Sequence, residues 1–176
     1  IWLGVKAALN HNKLFDQVAR VFAIIGWSFP TFVFALLLLL VFYARLDWFQ
    51  PGRLSTAFSQ EVIKPGFTQY THMMTVDSLL NLRFDIFIDA LRHLIMPVAT
   101  LMVVEVALLL KITRSAMLEE MRQDYVTTAR AKGLPEKVVT NRHIRRNALI
   151  PVITVAGLTL AGLMGGVVIT ETVFDY

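Results

Sequence analysis

Two long runs without any charged residue most constrain how this chain can fold. Residues 21–44 carry no charge, and neither do residues 147–170; each run has 24 residues. As an α-helix such a run spans roughly 36 Å, which is enough to cross a hydrocarbon core of about 30 Å. A third run, residues 94–110, holds a single charge, Glu105. The chain is 17% charged, whereas a soluble domain averages about 25%, so the sequence predicts a polytopic membrane protein.

The predicted architecture is an all-α transmembrane helical bundle that forms a single domain over residues 1–176. The chain starts at Ile1 and ends at Tyr176, just past an apolar run, which indicates an internal fragment of a longer membrane protein. About three full spans are predicted, joined by one loop on each side of the membrane. The predicted spans are 21–44, 94–112 and 148–170, and the predicted loops are 45–92 and 113–147.

The distribution of lysine and arginine orients the loops. Residues 111–147 hold nine Lys/Arg and four acids, whereas residues 45–92 hold five Lys/Arg and five acids. Because loops rich in Lys/Arg stay on the cytoplasmic side, the 113–147 loop is predicted to be cytoplasmic and the 45–92 loop extracytoplasmic. The net charge of +4 lies beside the spans and therefore does not indicate affinity for nucleic acid. The lipid bilayer is the first expected partner.

The 45–92 loop carries turn signals and an amphipathic pattern. Pro51-Gly52 and Pro65-Gly66 predict turns. The second half of the loop has helical periodicity, which predicts an amphipathic helix lying at the outer membrane surface. The Asp85/Asp89 pair is interpreted as part of its solvated face, since no third metal ligand follows at suitable spacing. The predicted apolar face comprises Leu80, Phe84, Phe87, Ile88 and Leu91, and the polar face comprises Asn81, Asp85, Asp89 and Arg92.

Three features inside the predicted spans each have a structural and a functional interpretation. Pro30 predicts either a packing kink or a flexing point, because proline removes a backbone hydrogen bond. Glu105 is costly in lipid, so it either lines a pathway or holds helices together. Gly162 and Gly166 are spaced for close approach of two helices; static packing is the default interpretation, and packing that also slides is compatible with the same residues.

The polar stretch from Asp124 to Pro151 has helix signals of its own inside the predicted cytoplasmic loop. The helix of span two is predicted to continue over residues 111–123. Gly133 followed by Pro135 predicts a helix end. A second short helix is predicted for residues 135–147.

This stretch suits contact with a cytoplasmic partner. Its small residues can enter a groove on a neighbour, while Arg130 and Lys132 can pair with acids at the rim of that groove. The alternative is a basic linker attracted to anionic lipid, and spacing alone does not decide between the two. The small residues are Thr128, Ala129, Ala131 and Gly133.

The sequence lacks the motifs that would indicate catalysis. It has neither a Gly-x-x-x-x-Gly-Lys-Ser/Thr loop nor a His-Glu-x-x-His motif, so neither an ATP-binding P-loop nor a zinc protease site is predicted. The four histidines are scattered, and the absence of cysteine excludes a Cys-based zinc site. The chain is therefore not expected to be an enzyme or to bind a metal or cofactor. If it moves a solute uphill, a partner must supply the energy.

Two blocks of the cytoplasmic stretch closely resemble the EAA loop of bacterial ABC importer permeases, in the variant of the dipeptide/oligopeptide and nickel branch. Two shorter segments are also similar to that branch, and the similarity runs over nearly the whole chain. The glutamate of the EAA pattern is absent, and Thr127 and Thr128 stand in that region. The blocks are DYVTTARAKGL at 124–134 and HIRRNALIPVIT at 143–154, and the shorter segments are GWSFP at 26–30 and ETVF at 171–174.

The resemblance implies a type I ABC importer permease of the inner membrane. The short helix of the loop would be a coupling helix seated in a groove of a cytoplasmic ATPase. Two such ATPases would bind the ATP and magnesium, a second permease subunit would complete the pathway, and an extracytoplasmic solute-binding protein would deliver the substrate. The residues implied in ATPase coupling are Asp124, Tyr125, Thr128, Ala129, Arg130, Ala131, Lys132, Gly133 and Leu134.

The function predicted in this way is that of a permease subunit for the import of dipeptides or oligopeptides. A nickel or other small-solute importer of the same branch is the alternative. Two hypotheses from other classes are a membrane scaffold that recruits a cytosolic protein, and a membrane-embedded enzyme that uses Glu105 as its acid.

Overall fold

The computed structural model describes residues 1–165 and 167–176, and within them the regular structure is helical. Short π-helical segments continue two of the helices, at Leu39–Arg45 after α3 and at Val139–Ile144 between α8 and α9. The helices in chain order are α1 (Trp2–Leu9), α2 (Leu14–Ser28), α3 (Thr31–Leu38), α4 (Thr56–Val62), α5 (Met74–Leu80), α6 (Phe84–Glu120), α7 (Asp124–Ala131), α8 (Glu136–Val138), α9 (Arg145–Met164) and α10 (Val168–Phe174).

The lengths of these helices fit a polytopic membrane protein. Two helical stretches of the described chain are long and apolar enough to cross a bilayer, namely α6 and the continuous Glu136–Met164. The pair Leu14–Ser28 and Thr31–Arg45 makes a third candidate if it is one broken span. The predicted all-α membrane class is confirmed.

Helix α6 differs from the prediction because it begins well before the expected membrane entry. It runs without interruption over 37 residues, with Pro97 inside it. The separate amphipathic helix predicted at the outer membrane surface is therefore wrong, since residues 84–92 form the first turns of α6. No glycine or proline lies between Phe84 and Pro97 to end a helix there.

The face that the first turns of α6 bury also differs from the predicted one. Ile86 and Ala90 are fully buried, whereas Phe84 and Ile88 of the predicted apolar face are well exposed. The periodicity had correctly indicated a helix. It could not indicate which of two apolar stripes the adjoining loop would cover.

The predicted first span is broken at Pro30. Phe29 and Pro30 both have extended backbone, with ψ values of 130° and 136°, so Pro30 precedes α3 instead of bending the interior of one helix. A residue before proline disfavours the helical region for steric reasons, and this explains why α2 ends at Ser28.

The second short helix predicted for the cytoplasmic loop is not a separate element. Residues 136–164 form one continuous helical stretch that passes through the π-helical segment, with Pro151 inside α9. No residue in 136–147 stops a helix, and a transmembrane helix tolerates an internal proline. Helix α9 ends at Met164, six residues before the predicted end of span three, and Gly166 lies outside the described residues.

The described structure divides into two compact units. The first comprises Ile1–Phe29 and the described part of Val103–Gly166. Here α1 and α2 lie against the second half of α6 at two close approaches. A Cβ added to Gly4 would lie 2.6 Å from the Cβ of Thr113, and one added to Gly26 would lie 2.8 Å from the Cβ of Ala107.

The second unit comprises Pro30–Met102 and Val167–Tyr176. Helix α10 packs on α3, and Ala35, Met96 and Phe174 are buried together. The 45–83 segment packs on the first turns of α6, and the cluster between them buries Leu54, Val62, Ile86 and Ala90. Gly52 and Gly66 have φ values of +94° and +123°, which confirms the two predicted turns.

A buried aspartate orders the end of this segment. The Asp77 carboxylate is fully buried and accepts hydrogen bonds from the backbone nitrogens of Tyr70 (3.1 Å) and Thr71 (2.8 Å) and from the Thr71 hydroxyl (2.8 Å). Burial raises the pKa of Asp77, but these hydrogen bonds lower it more, so its pKa lies below the usual value. The carboxylate therefore stays charged and fixes the turn that leads into α5.

Candidate functional site

Helix α7, at the centre of the predicted coupling segment, is a short helix whose two ends are set by its sequence. Asp124 lies in the first turn, where a negative charge favours the helix dipole. Gly133 has a φ of +76°, a left-handed conformation that glycine adopts at little cost. Its nitrogen donates to the carbonyl oxygen of Arg130 at 2.9 Å. The helix end predicted at Gly133 is confirmed.

One face of α7 is anchored in the first unit. Val126 is fully buried and Ala129 is 6% exposed. Both belong to one hydrophobic cluster with residues from α1, α6, α9 and the π-helical segment that precedes α9. Helix α7 is therefore packed against the rest of the first unit. The other buried members of this cluster are Ala8, Ala116, Met117, Val139, Ile144, Ala148 and Val152.

The opposite face of α7 is open. Thr127, Thr128 and Ala131 are exposed, and an open cleft of about 330 Å³ lies beside the helix. A short helix with small side chains at such a surface permits close approach of a second protein. The cleft is lined by Tyr125, Thr128, Ala129, Lys132, Leu134 and His143.

Polar contacts hold the start of α7 in place. The Tyr125 hydroxyl donates to the Glu120 carboxylate and accepts a hydrogen bond from the Asn147 amide nitrogen at 3.1 Å. Burial raises the pKa of Tyr125, and the Glu120 carboxylate raises it further, so the phenol stays protonated at neutral pH. These contacts link the end of α6, the start of α7 and the start of α9.

Two residues that were predicted to contact a groove on a partner, Ala129 and Arg130, make contacts within the chain instead. Ala129 packs into the hydrophobic cluster, because residues 126 and 129 share the inward face of α7, and only its edge reaches the cleft. Arg130 pairs within the chain, since its Nη2 lies 2.7 Å from Oε1 of Glu136 and its Nε lies 3.1 Å from Oε2. Lys132, the other cation predicted at the rim of the groove, is exposed and forms no ion pair within residues 1–165 and 167–176.

The candidate residues inside the predicted spans are not brought together with α7. Glu105 is partly buried on α6, and its Oε2 has no hydrogen-bond partner in the described chain. Gly162 has no atom within 4 Å of the position that a Cβ would take, so the close helix contact expected there is not made within the described residues. Close contacts occur instead at Gly4 and Gly26.

Sequence reasoning missed an ion pair in the first unit. Asp16 of α2 is fully buried and binds Arg114 of α6. An acid at the start of an apolar helix, with an arginine just past the end of another span, was the signal available in the sequence.

Among the described residues, no group of three or more His, Asp or Glu side chains is arranged to hold a metal ion. What the arrangement does offer is an exposed helix face with room for close contact with another molecule. A helix of eight residues, rigidly seated on the loop between two apolar helices, can transmit a push or pull from a bound protein into those helices.

Long apolar helices joined by a loop with such a seated helix fit a membrane permease component. The whole chain, residues 1–176, matches the family described as the binding-protein-dependent transport system inner membrane component, and the chain belongs to this family.

Curated relatives support the same assignment. The chain is 44% identical over 174 residues to the di/tripeptide transport system permease protein of Pseudomonas aeruginosa, covering 98% of this chain and 50% of the relative. It is 35% identical over 173 residues to the dipeptide transport system permease protein of Alkalihalophilus pseudofirmus, covering 98% and 50%. It is 37% identical over 184 residues to the probable D,D-dipeptide transport system permease protein of Escherichia coli, covering 99% and 50%. The chain thus spans about half the length of the curated relatives it matches.

Proposed function

We propose that this chain is part of a permease subunit that imports dipeptides or oligopeptides, driven by ATP hydrolysis in separate ATPase subunits. The family and the names of the relatives support this proposal, since these relatives are named as dipeptide or di/tripeptide permeases. The single structural observation that carries it is α7, with one face buried in the chain's own core and the other face open.

The proposed coupling works through the seat of α7. A groove on an ATPase subunit receives the exposed face, in particular Thr128 and Ala131, with Lys132 at the rim. Tyr125, Leu134 and Gly133 shape the adjoining cleft and the turn, while Ala129 and the Arg130–Glu136 pair hold the helix on the permease. When the ATPases close on ATP and magnesium, the displaced α7 moves the α6 and α9 ends with which it shares a core.

The remaining parts of the proposal concern the membrane and the outer side. The 113–147 loop is cytoplasmic and the 45–92 loop extracytoplasmic, where a solute-binding protein delivers the peptide. A second permease subunit completes the pathway. Glu105 faces that pathway or a neighbouring helix, the backbone break at Pro30 supplies a point of flexion, and Gly162 and Gly166 contact a helix from the rest of the complex. The chain itself binds no cofactor.

The test is affinity purification of the full-length permease, followed by ATPase and peptide-uptake assays in proteoliposomes. Thr128→Trp adds bulk to the exposed face of α7, and Asn141→Trp, at another exposed position of the same loop, is the matched control. We expect the wild type and the control to recover a nucleotide-binding subunit and to import a labelled dipeptide, and Thr128→Trp to lose both.

Two results would count against the proposal. Recovery of no ATPase with the intact wild-type protein would leave a scaffold as the better explanation. Uptake of nickel in place of dipeptide would keep the importer and overturn the substrate.

A further inference from the structure

We infer that the Asp16–Arg114 ion pair is a positioning element for transport, which locks α2 in register with the helix that carries the coupling loop. The inference rests on the proposed function, because it assigns the pair a part in moving force from α7 into the first span. It concerns residues 1–29 and 103–165 alone.

The geometry of the pair is that of a buried, two-point contact. Arg114 Nε lies 2.5 Å from Oδ1 of Asp16, and its Nη2 lies 2.9 Å from Oδ2. The backbone nitrogen of Asn12 also donates to Oδ2 at 2.9 Å. Asp16 is fully buried and the Arg114 side chain is 15% exposed. Two parallel bonds from a planar guanidinium fix both distance and orientation, which a single apolar contact does not.

The pair lies on one crowded turn of α6. Thr113 on that turn is the residue that Gly4 of α1 approaches most closely. Ala116 and Met117, two and three residues beyond Arg114, belong to the cluster that buries Val126 and Ala129 of α7. Within one and a half turns of α6, residues 113–117 therefore pack with α1, with α2 and with α7.

The apolar contacts between α2 and α6 include no directional bond. Ala19 and Ala23 of α2 are buried with Leu110, and Gly26 approaches Ala107. Such contacts set the closeness of two helices but resist sliding only weakly. The ion pair supplies the resistance, because sliding would leave a buried carboxylate without its partner, which is strongly unfavourable. A displaced α7 thus carries α2 with it.

The test uses the full-length permease assembled with its ATPase subunits and binding protein in proteoliposomes, with the number of ATP molecules hydrolysed per dipeptide imported as the readout. The variants are Asp16→Asn, Arg114→Gln, the charge exchange Asp16→Arg with Arg114→Asp, and Arg114→Lys, which keeps the charge but not the fork. Lys13→Gln and Lys111→Gln remove exposed charges three residues from Asp16 and from Arg114 and serve as matched controls.

We expect both single neutral variants to assemble and to hydrolyse ATP, while the ATP cost per dipeptide rises about tenfold, within the usual range of coupling between sites. Arg114→Lys should lie between them and the wild type, and the charge exchange should lower the cost again. The controls should match the wild type.

Other outcomes separate the inference from the function on which it rests. If ATPase activity and uptake fall together with the amount of assembled complex, the pair serves folding only and the inference is overturned. An unchanged cost per dipeptide in both single variants overturns it too. A wild-type preparation without ATP-dependent uptake overturns the proposed function itself.

Discussion

At the scale of single residues, the close packing of helices in the first unit depends on glycines, which have no side chain to keep two helices apart. Among the described helix glycines, those that meet another helix are Gly4 and Gly26, neither of which has a second glycine four residues away. Spacing of small residues indicates where a close contact is possible, and only the partner's position decides where it occurs.

Gly26→Val should destabilise the protein, because even a Cβ at this position would lie 2.8 Å from the Cβ of Ala107. Overpacking of this kind costs about 1–3 kcal/mol. Gly157→Val is the matched control, since no atom lies within 4 Å of a Cβ added there. Thermal unfolding of the purified full-length protein in detergent, followed by size-exclusion chromatography, should show a lower midpoint for Gly26→Val than for the control. Equal midpoints would mean that α2 and α6 adjust at no cost.

Residue types alone would not have identified the inward and outward faces of α7. Thr128, Ala129 and Ala131 are all small, and the sequence grouped them as one surface. The structure divides them because Val126 and Ala129 face the shared core. Likewise, Arg130 could not be assigned to Glu136 before the turn between them was known. The predicted helix end at Gly133, by contrast, depended on local backbone chemistry that sequence reports directly.

At the scale of secondary structure elements, the sequence predicted which segments form long apolar helices, but it did not predict the residues at which those helices begin and end. Uncharged runs identified the membrane candidates because lipid tolerates little else. The helices extend beyond those runs, as α6 begins at Phe84 and residues 136–164 are continuous. The additional turns are stabilised by contacts with the 45–83 segment and with the 113–147 loop, and these tertiary contacts leave no periodic pattern in the sequence.

Met117 of helix α6 packs into the cluster that seats the helix of the 113–147 loop. Its side chain is fully buried in the cluster that seats α7, so Met117→Ala should cost about 2–5 kcal/mol and loosen the helix. Met102→Ala, on the same helix but 62% exposed, is the matched control. Limited proteolysis of membrane vesicles at the 113–147 loop should proceed faster in Met117→Ala only. Equal cleavage rates in the two variants would contradict a seated α7.

At the scale of the whole molecule, the class and the family were accessible from the sequence because both rest on long patterns. Hydropathy gave the membrane class, and an ordered motif of more than twenty residues gave the family. The division into two compact units was not accessible, since each unit combines segments that are distant in the chain.

The sidedness of the loops is the prediction at this scale. Because residues 1–176 contain no cysteine, single cysteines can be introduced with little background once any in the remainder of the full-length protein are replaced. A membrane-impermeant maleimide should label Ile63→Cys in intact spheroplasts, where the side chain is 84% exposed, and should label Asn141→Cys only after permeabilisation. The reverse pattern would invert the proposed orientation.

The two-sided nature of α7 also limits how such a permease can change partners during evolution. Under the proposed function, packing in the chain's own core constrains positions 126 and 129, whereas contact with the ATPase constrains Thr127, Thr128 and Ala131. A lineage that acquires a different motor subunit can therefore alter the second set without disturbing the first. A few exposed side chains then determine which ATPase is bound, while the buried packing that transmits the movement of the ATPase stays the same.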